Sequence, residues 1–197
     1  MGDGVRIHGY LVSTWTRTAV MACIEKGVDH ELVPIAYGGD EHAALHPFKR
    51  IPVLEHGDAV VTEALAITGY IDEAFDGPAL QPADTDGRTK MRQWLSMCAD
   101  YGYRNVVRTI PRGRAATDDE LATARAVLER IDALVEPGPF LVGDGITLAD
   151  LYLAPQIANA REKAPEVLDA LPALEAWMTG IAARESFRLT SYDPPAS

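Results

Sequence analysis

The apolar positions of this chain follow one period early and another later. Over 5–11, VRIHGYL alternates apolar and polar residues before a turn, which predicts a strand. Residues 14–27, TWTRTAVMACIEKG, switch to helical spacing through Val20, Cys23 and Ile24, and Gly27 supplies a C-terminal stop. HELVPI (30–35) predicts a second strand, and PVLEHGDAVVT (52–62) a hairpin turning at Gly57-Asp58. Residues 63–75 predict an amphipathic helix with Leu65, Ile67, Ile71 and Phe75 on its inner face. The order β-α-β, an irregular stretch, then β-β-α fits a thioredoxin-like layer of four strands covered by helices.

Beyond it, DGPALQPADTDGR concentrates Pro, Gly and Asp, and the remaining pattern is helical, with breaks near Pro111–Gly113 and at 136–139. Further helices are predicted at 147–163 and 171–184. The expected organisation is an α/β thioredoxin-like domain over 1–76, a linker over 77–88 and an all-α domain over 89–197. Thr147 and Asp150 form a variant capping box, with Ile146 and Leu151 spaced as its staple, which makes Asp150 structural.

The 197 residues suffice for two small domains. A formal charge of −11 excludes general nucleic-acid binding and requires a local basic cluster for any anionic ligand; Lys49-Arg50 is the compact candidate. No run approaches the roughly 20 apolar residues that span a bilayer, and the N-terminus lacks the apolar core of a secretory signal. Cys23 and Cys98 stand in no metal-binding spacing and are expected as buried apolar fillers, so no metal is expected. A cytoplasmic location is the default expectation.

Ser13 follows the first predicted strand and opens the first helix. A thiol attacks as its thiolate, and at an ordinary pKa of ~8.5 it is mostly protonated at neutral pH. A hydroxyl at a helix N-terminus can donate to the sulfur while the positive helix end favours the anion. The same position also suits Ser13 or Thr14 as a plain N-cap.

Three runs, in this order, carry a family resemblance. YLVSTWTRTAVMACIEKGV (10–28) resembles the first strand-to-helix turn of serine-type cytosolic glutathione transferases, its STxTR core being especially like the phi class. HPFKRIPVLEHGDAVVTEALAITGYI (46–71) resembles their x-V-P-x-L step, hairpin and Glu-Ser or Glu-Ala helix start, and FLVGDGITLADLYLAP (140–155) resembles their second-domain folding motif. Zeta and theta members share the general pattern, although Trp15 stands where zeta-class sequences carry cysteine.

The resemblance implies an enzyme that adds glutathione, as co-substrate, to a small electrophile in detoxification, with Ser13 stabilising the thiolate and Thr14 and Thr16 beside it. It implies a cis Ile51-Pro52 bond, with Ile51 offering its backbone to the cysteinyl unit. Glu63 would meet the γ-glutamyl amino group, and the helix start at Ala64, where relatives often carry serine, would receive the α-carboxylate. Lys49 (for a frequent glycine), Arg50 and His42 are implied as glycyl-carboxylate contacts, a solvated basic pair and a surface histidine being the alternatives. Tyr101, Trp94 and Met97, with Tyr103, lie where the family builds its electrophile pocket. Arg104, Arg108 and Arg112 recur at four-residue spacing as a basic stripe, ordinarily a solvated face. A homodimer is implied, with Phe48 as a candidate anchor. Isomerisation or dehalogenation by the same thiolate, or a non-catalytic binding module, are the competing functions.

Overall fold

The alternation at the N-terminus becomes β1 (Val5–His8), which sends Val5 and Ile7 to one face of a sheet and Arg6 and His8 to the other. The computed structural model describes residues 4–191. β2 (His30–Val33) runs parallel to β1, and β3 (Val53–His56) and β4 (Ala59–Thr62) follow antiparallel, giving the order β2-β1-β3-β4. Ile7 lies opposite Leu32 on one side and Leu54 on the other. Ile7 and Leu54 are fully buried, as are Met21 and Cys23 of α1 (Thr14–Lys26) and Ile67 and Ile71 of α3 (Ala64–Ala74). The opposite face pairs Arg6 with Glu55 at 3.3 Å, and buried His8 hydrogen-bonds the same carboxylate.

α1 stops where the sequence predicts. Gly27 takes φ 77°, and the Val28 N–H closes back on the Cys23 carbonyl at 2.8 Å, a turn that suits a residue without Cβ. α3 differs in two respects: Leu65 points outward, 61% exposed, because Thr68 rather than Leu65 joins Ile67 and Ile71 on the buried side, and Phe75 is the half-buried C-cap rather than part of the helix. The stretch expected to be irregular holds a short helix, α2 (Asp40–Leu45). Its six residues are too few to display a helical period.

The chain divides into two units, residues up to 80 together with those from 185 onward, and 81–184. The last described helix, α8 (Glu185–Leu189), thus belongs with the first unit, whereas the sequence assigned the whole C-terminal part to the helical domain. The cause is Arg17 of α1, which donates to the Phe187 carbonyl (3.0 Å) and Thr190 Oγ1 (3.2 Å) and lies over the Phe187 ring. The chain ends within those expected domains, 1–3 and 192–197, lie outside the described residues.

The second unit begins helix α4 (Thr85–Met97) inside the stretch expected as linker, capped by Asp84, whose carboxylate accepts from Gly87 N–H at 2.8 Å. α4 continues as a π-helix, Cys98–Val107. Gln156 explains the change of winding: its Nε2 donates to the Cys98 carbonyl at 3.2 Å, and its amide oxygen lies against Gly102, where any Cβ would collide. The helix ends at Val107 with Arg108 as its C-cap, so the expected arginine stripe does not run on to Arg112. Arg104 pairs with Asp100, while Arg112 lies past the helix end, hydrogen-bonded to Glu162. α5 (Asp118–Asp132), α6 (Leu148–Lys163), a 3₁₀ turn (Pro165–Leu168) and α7 (Pro172–Ala182) complete this unit.

α6 is apolar almost all round, with Leu148, Leu151, Leu153, Ala154 and Ile157 buried, as befits a central helix. Asp150 anchors it, accepting from Thr147 N–H, Leu141 N–H and Trp177 Nε1–H, each at 2.9 Å. Burial pushes its carboxyl pKa up against these donors. The structural role expected for Asp150 is therefore met. Cys23 and Cys98 are both free and buried, and burial pushes the Cys23 thiol up to about 12.

Candidate functional site

Sheet register gathers most of the predicted residues. His8 lies opposite Val53, and Val53 opposite Thr62, so the exit of β1, the entry of β3 and the exit of β4 share one end of the sheet. The β1–α1 turn with Ser13, the Ile51-Pro52 step and Glu63 with Ala64 emerge there. Both α1 and α3 start at this end, and helix N-termini carry partial positive charge and unpaired N–H groups.

The β1–α1 turn is tightly built. Gly9, at φ 155°, brings its backbone against Thr16, where an added Cβ would sit 2.6 Å from Oγ1. Its N–H donates to the Val33 carbonyl at 3.0 Å, and the Tyr10 hydroxyl donates to Ile35 O. Ser13 then caps α1: its φ of −78° and ψ of 122° are extended, and its Oγ accepts from Thr16 N–H at 3.3 Å. Capping uses one lone pair. The hydroxyl proton stays available to donate, so the cap and the thiol-activating role are compatible. Thr14 and Thr16 are buried, and their hydroxyl oxygens have no hydrogen-bond partner among the described residues.

The Ile51-Pro52 bond is cis, as the family resemblance implies, with Pro52 buried at the mouth of β3. Glu63 is the N-cap position of α3 yet makes no side-chain cap; it takes φ 70°. A non-glycine residue in that region costs of order 1–3 kcal/mol and persists only where its surroundings impose it. The Glu63 carboxylate is exposed, and the first amides of α3 receive no side-chain cap from it.

Lys49 and Arg50 are exposed in the approach to Ile51. Lys49 also has positive φ, 49°, and its ammonium donates to the Gly38 carbonyl at 3.0 Å. Arg50 forms no ion pair among the described residues. His42 requires a correction. It is fully buried rather than a surface group, its Nδ1 accepting from Gly38 N–H (3.1 Å) and its Nε2–H donating to the Arg50 carbonyl (2.8 Å). With both nitrogens spent, it shapes the 38–50 segment and has no donor for a ligand carboxylate.

The sequence did not single out His46. It is 1% exposed, caps α2, and faces Glu63 across 3.7 Å. Only its place before Pro47 hinted at a turn, and nothing local reveals a partner 17 residues on (63 − 46).

In the helical unit, Trp94 is buried (6% exposed), Met97 half-buried and Tyr101 59% exposed, so of the three only Met97 and Tyr101 offer appreciable surface to a second substrate. No group of three or more His, Cys, Asp or Glu side chains that could hold a metal occurs among the described residues. No helix among them is long and apolar enough to cross a membrane.

A four-stranded mixed sheet with a cis-proline at the entry of β3 and a capping hydroxyl at the first helix, followed by an all-helical unit, defines a thioredoxin-like protein with a helical second domain. Comparison with known proteins makes the class specific. Residues 7–79 match the family model "Glutathione S-transferase, N-terminal domain" and residues 94–185 match "Glutathione S-transferase, C-terminal domain". Glutathione S-transferase 3 of Zea mays is 33% identical over 94% of this chain and 92% of its own. Maleylpyruvate isomerase of a Ralstonia species is 33% identical over 69% of this chain and 73% of its own. The solved structure of glutathione S-transferase III in apo form superposes with a TM-score of 0.84 at 28% identity, covering 98% of this chain and 100% of that one. The chain belongs to the glutathione S-transferase family of enzymes.

Proposed function

We propose that this protein conjugates the thiolate of glutathione to a small electrophile, with the Ser13 hydroxyl donating to the sulfur. The observation that carries this reading is Ser13 itself: an N-cap whose oxygen is engaged by Thr16 N–H while its proton remains to be given. The α1 N-terminus adds a favourable field for the anion. Catalysis is then a matter of orientation and preorganised hydrogen bonding, with no covalent intermediate on the protein.

The tripeptide runs from Glu63, which meets its γ-glutamyl ammonium, past Ile51 and Pro52, to Lys49 and Arg50 at the glycyl carboxylate. The α-carboxylate takes the amides at Ala64, a task suited to a helix start. Met97 and Tyr101 are the candidate contacts for the electrophile. The proposal includes a cytoplasmic, detoxifying role and a two-chain assembly, for which Phe48, 75% exposed, is the candidate subunit contact.

The similarity to maleylpyruvate isomerase favours a second reading, in which the same thiolate adds reversibly to a cis-unsaturated acid and leaves after bond rotation. Trp15 keeps a nucleophilic cysteine out of the turn, so either reaction depends on the glutathione sulfur. Retention on immobilised glutathione, followed by rates with an activated aryl halide, an epoxide, an unsaturated carbonyl and a cis-unsaturated diacid, tests the proposal. Conjugation above the uncatalysed rate is expected. Isomerisation alone would select the second reading, retention without turnover would leave a binding module, and the absence of both retention and turnover would remove the proposal.

A further inference from the structure

His46 is buried in the segment that carries Lys49 and Arg50, and its carbonyl and Nε2 face two of the proposed glutathione contacts, Lys49 and Glu63. Its carbonyl accepts from Lys49 N–H at 2.9 Å, closing the turn that sets Lys49 at positive φ. Its ring Nδ1 accepts from Phe48 N–H at 3.1 Å. A ring nitrogen that accepts carries no proton, so the hydrogen sits on Nε2, and Nε2 faces Glu63 Oε1 at 3.7 Å. The neutral ring therefore braces the 46–49 turn with one nitrogen and turns the other toward the Glu63 carboxylate.

Protonation would reverse that arrangement. A proton on Nδ1 meets the Phe48 N–H, donor against donor, and the turn bearing Lys49 and Arg50 loses its brace. Burial is the chief influence opposing the charged ring, Glu63 favours it, and His42 on α2 and the Arg50 guanidinium oppose it; together they hold the pKa below its ordinary 6.5. Glu63 is the only one of these neighbours that supports the charge, and it is also the carboxylate proposed to take the ligand's ammonium. Glutathione and a proton on His46 thus compete for one carboxylate. Coupling of this kind is reciprocal: a ligand that makes the ring harder to protonate binds more weakly when the ring is protonated.

We propose that His46 is a positioning residue for the glutathione site, holding the Lys49-Arg50 turn in register and leaving the Glu63 carboxylate to the ligand only while neutral, so that acid weakens thiol-tripeptide binding through this one ring. The inference rests on the assignment of Glu63, Lys49 and Arg50 as glutathione contacts. It adds a residue that touches neither the sulfur nor the electrophile, and a sensitivity to pH that Ser13 does not supply.

S-methylglutathione is the probe, because it has no thiol to titrate, and its amine and carboxyls ionise outside pH 5–7. Calorimetric titration of the full chain should show affinity falling on the acid side, by at most about tenfold per pH unit for a single proton. His46→Asn keeps an acceptor near the Nδ1 position and cannot take up a proton. It should bind at pH 7 far better than His46→Ala and should show less than about a twofold change down to pH 5, the residue of other titrations. Parallel acid profiles in wild type and His46→Asn would overturn the inference while leaving the glutathione site standing. Absence of binding by the wild type at pH 7 would remove the site assignment and the inference together. Should His46→Asn fail to fold, nitrogen-15 spectra of the wild-type ring decide the matter. Saturation with S-methylglutathione should move the His46 protonation midpoint downward, and an unmoved midpoint overturns the inference.

Discussion

Replacing Ser13 with alanine separates two jobs that meet in one hydroxyl. As a cap, Ser13 accepts from Thr16 N–H at 3.3 Å, a long bond, and its loss should cost about 1 kcal/mol or less of stability. As thiolate stabiliser it supplies a hydrogen bond to a charged group, worth roughly 1.5–3 kcal/mol. At 1.36 kcal/mol per pKa unit, that corresponds to a rise of about one to two units in the bound thiol's pKa. The α1 field survives the substitution and contributes about 0.3–1 kcal/mol, so the mutant's thiol should remain somewhat below its free value of ~8.5. Conjugation near neutral pH should fall about tenfold or more, and raising the pH should restore part of it as bulk solvent completes the deprotonation. Thiolate ultraviolet absorbance against pH, in wild type and Ser13→Ala saturated with glutathione, measures this without reference to any electrophile. Superimposable curves, together with a loss of thermal stability alone, would refute the reasoning. Thr14 and Thr16, whose hydroxyl oxygens are buried without partners among the described residues, would then be the next groups to test.

Three further substitutions probe other parts of the structure. Lys26 and Asp72 form a buried pair at 2.9 Å, 5% and 7% exposed, and Asp72 also accepts from Leu80 N–H; Asp72→Ala should cost about 3–5 kcal/mol in urea denaturation. The double change Lys26→Met with Asp72→Leu should recover only part of that, because the Leu80 N–H stays without its acceptor, and a loss below about 1 kcal/mol in the single variant would show that the pair is not what holds α1 to α3. Ala64→Ser should tighten glutathione binding by up to about tenfold through one added donor at the start of α3, and unchanged affinity by calorimetry would place the α-carboxylate elsewhere. Lys163 donates to the Val107 and Ile110 carbonyls, and burial foremost, with Arg112 and Arg108, lowers its pKa from 10.5 to about 8 against the pull of Glu162. Between those values the unfolded chain holds the proton more tightly, so this group's contribution to stability rises with pH across the window. Denaturation of wild type and Lys163→Met from pH 7.5 to 10 should show the difference growing with pH, and a constant difference would remove the claim.

What could be read along the chain was local. Helical spacing ending at Gly27, the Gly57-Asp58 turn and the Thr147/Asp150 box each depend on residues a few positions apart, and each became the predicted element, while the strand predicted over 5–11 formed over Val5–His8. Ser13, Pro52 and Glu63 were legible through their order and spacing. Their common end of the sheet came from the register of β1, β3 and β4, which no single segment contains. Where distant partners decide conformation, sequence reading failed. Gln156 meets the α4 extension from 58 residues away, where the chain winds as a π-helix, and that helix ends before Arg112, so the three arginines at four-residue spacing form no single stripe. His42 reads as a glycyl-carboxylate contact or a surface histidine until Gly38 and Arg50 close on both its nitrogens. His46 is silent in sequence, since its meaning lies in a neutral tautomer imposed by Phe48 N–H and a carboxylate on another element. Local periodicity set which segments became strands and helices, because backbone geometry repeats over a few residues. Tertiary structure decided which polar side chains spend their hydrogen bonds on the fold and which keep one for a ligand, because that depends on groups brought together only when the sheet has formed.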